Sequence, residues 1–101
     1  MPKVTIDHKT DLNASDAFTK IKKFFETDMD IRRFDPSVQC QFVDSKMTGT
    51  ANGSQFKAQI AVSSAGTGSN ISVVVDLPLL LTPFKNKVQE MIQSKLGKYL
   101  A

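Results

Sequence analysis

Between Phe84 and Leu100 the apolar residues Phe84, Val88, Met91, Ile92, Leu96, Tyr99 and Leu100 recur at i, i+4, i+7, i+8, i+12, i+15 and i+16, one stripe at helical period. Lys85, Lys87, Glu90, Gln93, Lys95 and Lys98 fall mostly off that stripe. A helix with one apolar side must lay that side on another layer of structure. The approach to it is constrained as well. A β-branched run ends at Asp76-Leu77-Pro78, the leucines 79–81 make an apolar knuckle between Pro78 and Pro83, and the helix follows. Thr82 is expected to cap that helix, with Pro83 at the first helical position, where its missing N–H costs nothing.

The layer it needs is visible upstream, where the period changes to two. Val38, Cys40 and Phe42 alternate with Gln39, Gln41 and Val43, Asp44-Ser45 turns the chain, and Lys46 to Ala51 makes a weaker strand. Asn52-Gly53 then predicts a type I′ hairpin turn, which needs positive φ at both central positions. In the next strand Phe56, Ala58, Ile60 and Val62 face one way, and Gln55, Lys57 and Gln59 the other. Ser64 to Asn70 is expected to be a flexible loop. It contains Gly-x-Gly between two strands, whereas a phosphate-binding reading of that motif requires a following helix. Asn70 to Leu77 closes the sheet with Ile71, Val73, Val75 and Leu77 inward and Val74 outward.

Earlier still, Lys3 to His8 alternates as a short first strand. Asn13 offers an N-cap with Asp16 at the third helical position, so a helix is expected over Ala14 to Thr27. Ala14, Ala17, Phe18, Ile21, Phe24 and Phe25 form its buried stripe, while Lys20, Lys22 and Lys23 stand in solvent. Asp28 to Pro36 reads as a polar connection, with Met29, Ile31 and Phe34 tucked onto the core. Asp28, Asp30 and Asp35 cancel the charge of Arg32-Arg33 locally. The order β-α-β-β-β-β-α predicts an α+β fold, a single domain over residues 1–101 with one antiparallel sheet and both helices packed on one face. The first strand is expected at an edge, beside the last strand or the second.

Charge and composition narrow the function classes. The net charge is +3, carried entirely by residues 80–101, which hold four lysines against one glutamate. That suits contact with an anionic surface but not nucleic-acid binding, which wants basic residues gathered on a face with interleaved aromatics. Cys40 is the single cysteine, so no internal disulfide or cysteine metal pair exists, and its alternation with Val38 and Phe42 reads as core. No cofactor or metal is expected. The single histidine, His8, stands without a hydroxyl and carboxylate at a useful spacing, and the two glutamates are far apart. An enzyme is therefore not expected. Asp76 interrupts an apolar run just before the knuckle, where it is expected to hydrogen-bond backbone N–H groups. No signal peptide or transmembrane segment is visible in the sequence, which predicts a cytoplasmic protein.

The segment Asp76-Leu77-Pro78-Leu79-Leu80-Leu81-Thr82-Pro83-Phe84-Lys85-Asn86-Lys87-Val88, with the helix after it, resembles small bacterial proteins of the polyhydroxyalkanoic acid system, or polyhydroxyalkanoate granule region, family. Asp76, Leu77, the leucines 79–81, Pro83, Phe84, Lys85, Lys87 and Val88 match the family's turn. Asn86 stands where a glycine is common, and the connection 28–37 and the loop 64–70 are longer than usual. The resemblance is specific over the last third and architectural elsewhere. It implies a non-enzymatic cytoplasmic protein of a family named mainly for its association with polyester-granule genes, and no molecular activity comes with it.

Three functional expectations follow. The first is contact with a granule or another apolar and anionic surface through residues 77–98, with Leu79, Leu80, Leu81, Phe84, Lys85, Lys87, Lys95 and Lys98 as the candidate binding residues. The second is binding of a small acyl-type ligand, since a helix following an antiparallel sheet is similar in architecture to the helix-grip, lipid-binding fold class; a chain this short argues against an enclosed pocket. The third is pairing into a homodimer through the last helix or through an outer sheet face bearing Val43, Ala61 and Val74. Whether the knuckle leucines point inward or outward separates the first expectation from a purely structural role.

Overall fold

Asn13 fixes the start of the first helix. Its Oδ1 accepts the Asp16 backbone N–H at 2.8 Å and its Nδ2 donates to Asp16 Oδ2 at 3.1 Å. The helix α1 accordingly runs over Ala14–Thr27, the expected span. The computed structural model describes residues 3–100. Around α1 it places strand β1 (Lys3–Thr10), a short helix α2 (Met29–Phe34), strands β2 (Gln39–Val43), β3 (Thr48–Asn52), β4 (Lys57–Ala65) and β5 (Gly68–Asp76), and the closing helix α3 (Lys85–Tyr99). Two 3₁₀ turns, Asp44–Lys46 and Leu79–Phe84, join β2 to β3 and β5 to α3.

The strands form one five-stranded antiparallel sheet in the order β1-β5-β4-β3-β2, so the fold is α+β, with β1 at the edge beside the last strand. Alternation decides which face is covered. Val4 and Ile6 of β1, Ala58, Ile60 and Val62 of β4, and Ile71, Val73 and Val75 of β5 are all buried on one side. Phe18, Ile21, Phe24 and Phe25 of α1 and Val88, Ile92 and Leu96 of α3 cover them. Each such side chain contributes about 1.5–3 kcal/mol on full burial, so this shared face dominates the stability. The Phe24 ring packs 4.7 Å from Phe25 and 5.0 Å from Tyr99, tying the two long helices together. Cys40 is half-buried rather than fully in the core, its thiol donating to the Phe25 carbonyl at 3.4 Å; burial raises its pKa.

Four expectations about turns, caps and element bounds differ from the structure. The connection after α1 contains α2, started by Asp28, whose Oδ1 accepts the N–H groups of Asp30 and Ile31 at 2.9 and 3.2 Å. Asn52-Gly53 does not make a two-residue turn. Gly53 lacks positive φ, and a four-residue loop closes instead through Gly53 N–H to Phe56 O at 2.9 Å. Residues 64–70 are strand rather than flexible loop, since β4 and β5 pair through Ala65 and Gly68 around a two-residue turn with Gly66 at φ 63°. Thr82 does not cap α3. Its hydroxyl donates to Leu79 O at 2.8 Å inside the 3₁₀ turn, and α3 starts three residues later.

Asp35 explains the second of these. Its fully buried carboxylate accepts the Ser37 hydroxyl at 2.6 Å, the Ser37 and Gln55 N–H groups at 3.1 and 2.7 Å, and the Ser54 hydroxyl at 3.2 Å. The carboxylate sits where a Cβ on residue 53 would be, so Gly53 is required by close approach rather than by turn geometry. Burial pushes the carboxyl up, but these donors together hold Asp35 below the ordinary range.

Candidate functional site

The knuckle begins where the sheet ends. Leu77 is the last core residue of the β5 run, fully buried, and Pro78, with φ −64°, ends the ladder because it has no N–H to donate. The chain then tightens: Leu81 N–H donates to Pro78 O at 2.9 Å, and the Thr82 hydroxyl ties back to Leu79. A 3₁₀ turn has three residues per turn, so it cannot turn three consecutive leucines to one side. Leu81 turns toward the core and is half-buried, whereas Leu79 and Leu80 stand out in solvent at 74% and 88% exposure. Phe84, 49% exposed, stands at the end of the same turn, and Lys85 and Lys87 follow it as exposed residues on the first turn of α3. Neither lysine makes an ion pair among the described residues.

The structure thus gathers Leu79, Leu80, Leu81, Phe84, Lys85 and Lys87 in one place. It separates the other two candidates. Lys98 is exposed on the last turn of α3, about 16 Å along the helix from Lys87 at 1.5 Å per residue. Lys95 is engaged inside the fold, its ammonium 2.6 Å from Asp30 Oδ2 and 3.1 Å from Asp28 Oδ2. Hydrogen bonds to Asp30 and Asp28 raise its pKa. Asp76 also departs from expectation. It faces Lys3 at 3.8 Å across the β1–β5 edge, an ion pair rather than a turn cap.

Beside the knuckle lies an open apolar groove of about 530 Å³, walled by Phe34, Leu81, Phe84, Lys87, Val88 and Met91. Phe34, Val88 and Met91 also wall a small apolar void of only about 20 Å³ between α2, α3 and the sheet. These three residues were not among the candidate binding residues. The i, i+3 spacing of Ile31 and Phe34 after a capping Asp28 is the one local signal for the wall that α2 supplies. On the opposite face of the sheet, Val43, Ala61 and Val74 join Gln41, Thr50 and Gln59 in an uncharged hollow of about 520 Å³. A further hollow of about 440 Å³, by His8, Lys9 and Gly97, has Asp11 as the other titratable residue in its lining.

Among the described residues, no group of three or more His, Cys, Asp or Glu side chains is placed to hold a metal ion, and no helix is long and apolar enough to cross a membrane. Neither a family model nor a curated protein matches the sequence. Solved structures do match the fold over nearly the whole chain. TTHA0849 from Thermus thermophilus superposes with a TM-score of 0.62 at 11% identity, covering 98% of this chain and 94% of that one. XoxI from Bacillus cereus gives 0.61 at 9% identity, covering 99% and 94%, and Ara h 8.0201 gives 0.54 at 14%, covering 98% and 97%. Likeness at such identities is likeness of fold, and any function must be argued from this chain's own side chains.

Proposed function

We propose that this protein is a non-enzymatic, cytoplasmic accessory protein that rests reversibly on an apolar surface carrying negative charge, such as a polyester storage granule, through the knuckle Leu79–Lys87. The observation that carries this reading is the outward pair Leu79 and Leu80 beside Phe84, with the exposed Lys85 and Lys87 next to them. Apolar tips flanked by cations suit a boundary where hydrocarbon or polyester meets anionic groups. The magnitudes describe a weak anchor. Two leucines supply about 1.5–3 kcal/mol each on burial, and two lysines about 1 kcal/mol each near an anionic surface. That sum is in the range of a single acyl anchor, hence reversible and salt-sensitive. The granule as the surface comes from the resemblance of the segment Asp76–Val88 to the polyhydroxyalkanoate granule region family.

Two other readings fare differently. A carrier enclosing its ligand between helix and sheet needs a chamber of roughly 300–1,000 Å³, and the void between them here is about 20 Å³. A homodimer through the outer sheet face is favoured by the uncharged hollow around Val43, Ala61 and Val74, and a sedimentation profile independent of concentration would exclude it. Flotation tests the main reading. The protein should rise with isolated polyester granules or with anionic vesicles at low salt and be released at high salt; remaining in the soluble fraction throughout overturns it.

A further inference from the structure

The groove beside the knuckle has a composition of its own. Five of its six walls are apolar residues, and the sixth, Lys87, lines it with the apolar stem of an exposed side chain whose ammonium has no ion-pair partner among the described residues. Its volume of about 530 Å³ lies within the range of small-molecule sites, roughly 300–1,000 Å³. Phe84 and Leu81 join it to the knuckle, and Phe34, Val88 and Met91 are shared with the apolar void behind it. The geometry points to a binding site for one alkyl chain of an anionic amphiphile, a medium-chain carboxylate, with the chain along Phe34, Phe84, Val88 and Met91 and the carboxylate at Lys87. This rests on the reading of the knuckle as a binding surface and names the molecule held there.

The charge pattern selects this occupant over a second copy of the chain. A two-fold contact through the groove would gather Lys85 and Lys87 of both copies, four cations, around one interface with no acidic wall residue to offset them. A single carboxylate meets Lys87 with opposite charge, and its chain fills a trough too narrow in polar partners for a peptide backbone, whose N–H and C=O groups would go unpaired there.

Dodecanoate below its micelle concentration is the probe, titrated into protein carrying 13C-methyl methionine. Met91 lies in the groove, while Met29 and Met47 lie outside it and serve as internal controls. The expected result is a saturable shift of the Met91 methyl with Met47 unmoved. Lys87→Gln should weaken dodecanoate by up to about fivefold, the worth of one exposed ion pair, and leave dodecanol, which has the same chain without charge, unchanged. An absent Met91 response, an equal response of Met91 and Met47, or the same loss for dodecanoate and dodecanol overturns the proposal. Flotation of the same sample separates the two readings. Flotation without a Met91 response removes the groove site and leaves the surface reading, and a Met91 response without flotation does the reverse.

Discussion

Lys95 places its ammonium 3.1 Å from Asp28 Oδ2, and this pair joins the last helix to the start of α2 across most of the chain. Asp28 is 3% exposed and fully used. Its Oδ1 caps α2 through two backbone N–H groups, and its Oδ2 also accepts the Tyr99 hydroxyl at 3.2 Å. Burial raises the Asp28 carboxyl, and Lys95 together with the backbone donors more than offsets that, so it titrates below its ordinary value. Phe34, at the far end of α2, is thereby held as a wall of the groove.

A double-substitution cycle should expose the coupling. Lys95→Met leaves a buried carboxylate without its cation and lowers Tm; Asp28→Asn alone also lowers it. The pair together should lose less than the two single losses added, because no unpaired charge remains buried. Additive losses in thermal melts would show that the pair contributes nothing to stability.

Stability should fall on both sides of a neutral plateau. Asp28 and Asp35 titrate below 3.8 in the folded state. Their contribution is therefore complete above about pH 4 and lost as pH falls through the depressed values. Lys95 is raised above 10.5 by Asp30 and Asp28, and Tyr99 above 10.0 by burial and its bond to Asp28. Their contribution is complete below about pH 10 and lost as pH rises through the folded values. Tm measured from acid to alkali should show this plateau, and Asp35→Asn should flatten the acid arm. An acid arm identical in Asp35→Asn and in the unsubstituted protein would refute the assignment.

Gly53→Ala should destabilise by about 1–3 kcal/mol, since the new methyl overlaps a carboxylate that four donors hold in place. Asp35→Ala should cost about 3 kcal/mol, as charged hydrogen bonds are lost and Ser37 and Gln55 N–H groups lose their acceptor. Combining the two should cost less than their sum, because the overlap disappears. Denaturant melts with unchanged slopes provide the measurement.

Neighbouring leucines should behave in opposite ways. Leu77→Ala, at a fully buried position, should cost about 2–5 kcal/mol. Leu79→Ser with Leu80→Ser should change stability by less than about 0.5 kcal/mol while abolishing flotation. If the double serine variant melted like Leu77→Ala, the outward leucines would have a structural role and the anchor would lose its basis.

Where a side chain answers to its near neighbours, the sequence was readable. The Asn13 cap and the α1 stripe depend on residues within a few positions, and the alternation of β4 and β5 depends on facing one core. The knuckle was visible as a run of leucines between prolines, but which of them point outward depends on a 3₁₀ turn that the pattern does not specify. Gly53 has the signature of a hairpin turn, yet its role comes from Asp35, which reaches it from another part of the chain. Lys95 stands on a helix face rich in lysines, and nothing local distinguishes it from Lys98; only the placement of α2 brings Asp28 and Asp30 to it. The groove belongs to the same class, since its walls come from α2, the knuckle and α3 together.

The pairing of β1 with β5 has a consequence during synthesis. Residues 3–10 find their hydrogen-bonding partner in residues 68–76, so Val4 and Ile6 leave the ribosome long before the strand that pairs with theirs. At about 5–20 residues per second the wait lasts several seconds, and α3, which packs on the same edge, is made later still. The nascent chain therefore carries the phenylalanines of α1 without their full cover until β5 and α3 have been made, and in that interval it is a natural client for chaperones that hold exposed apolar segments.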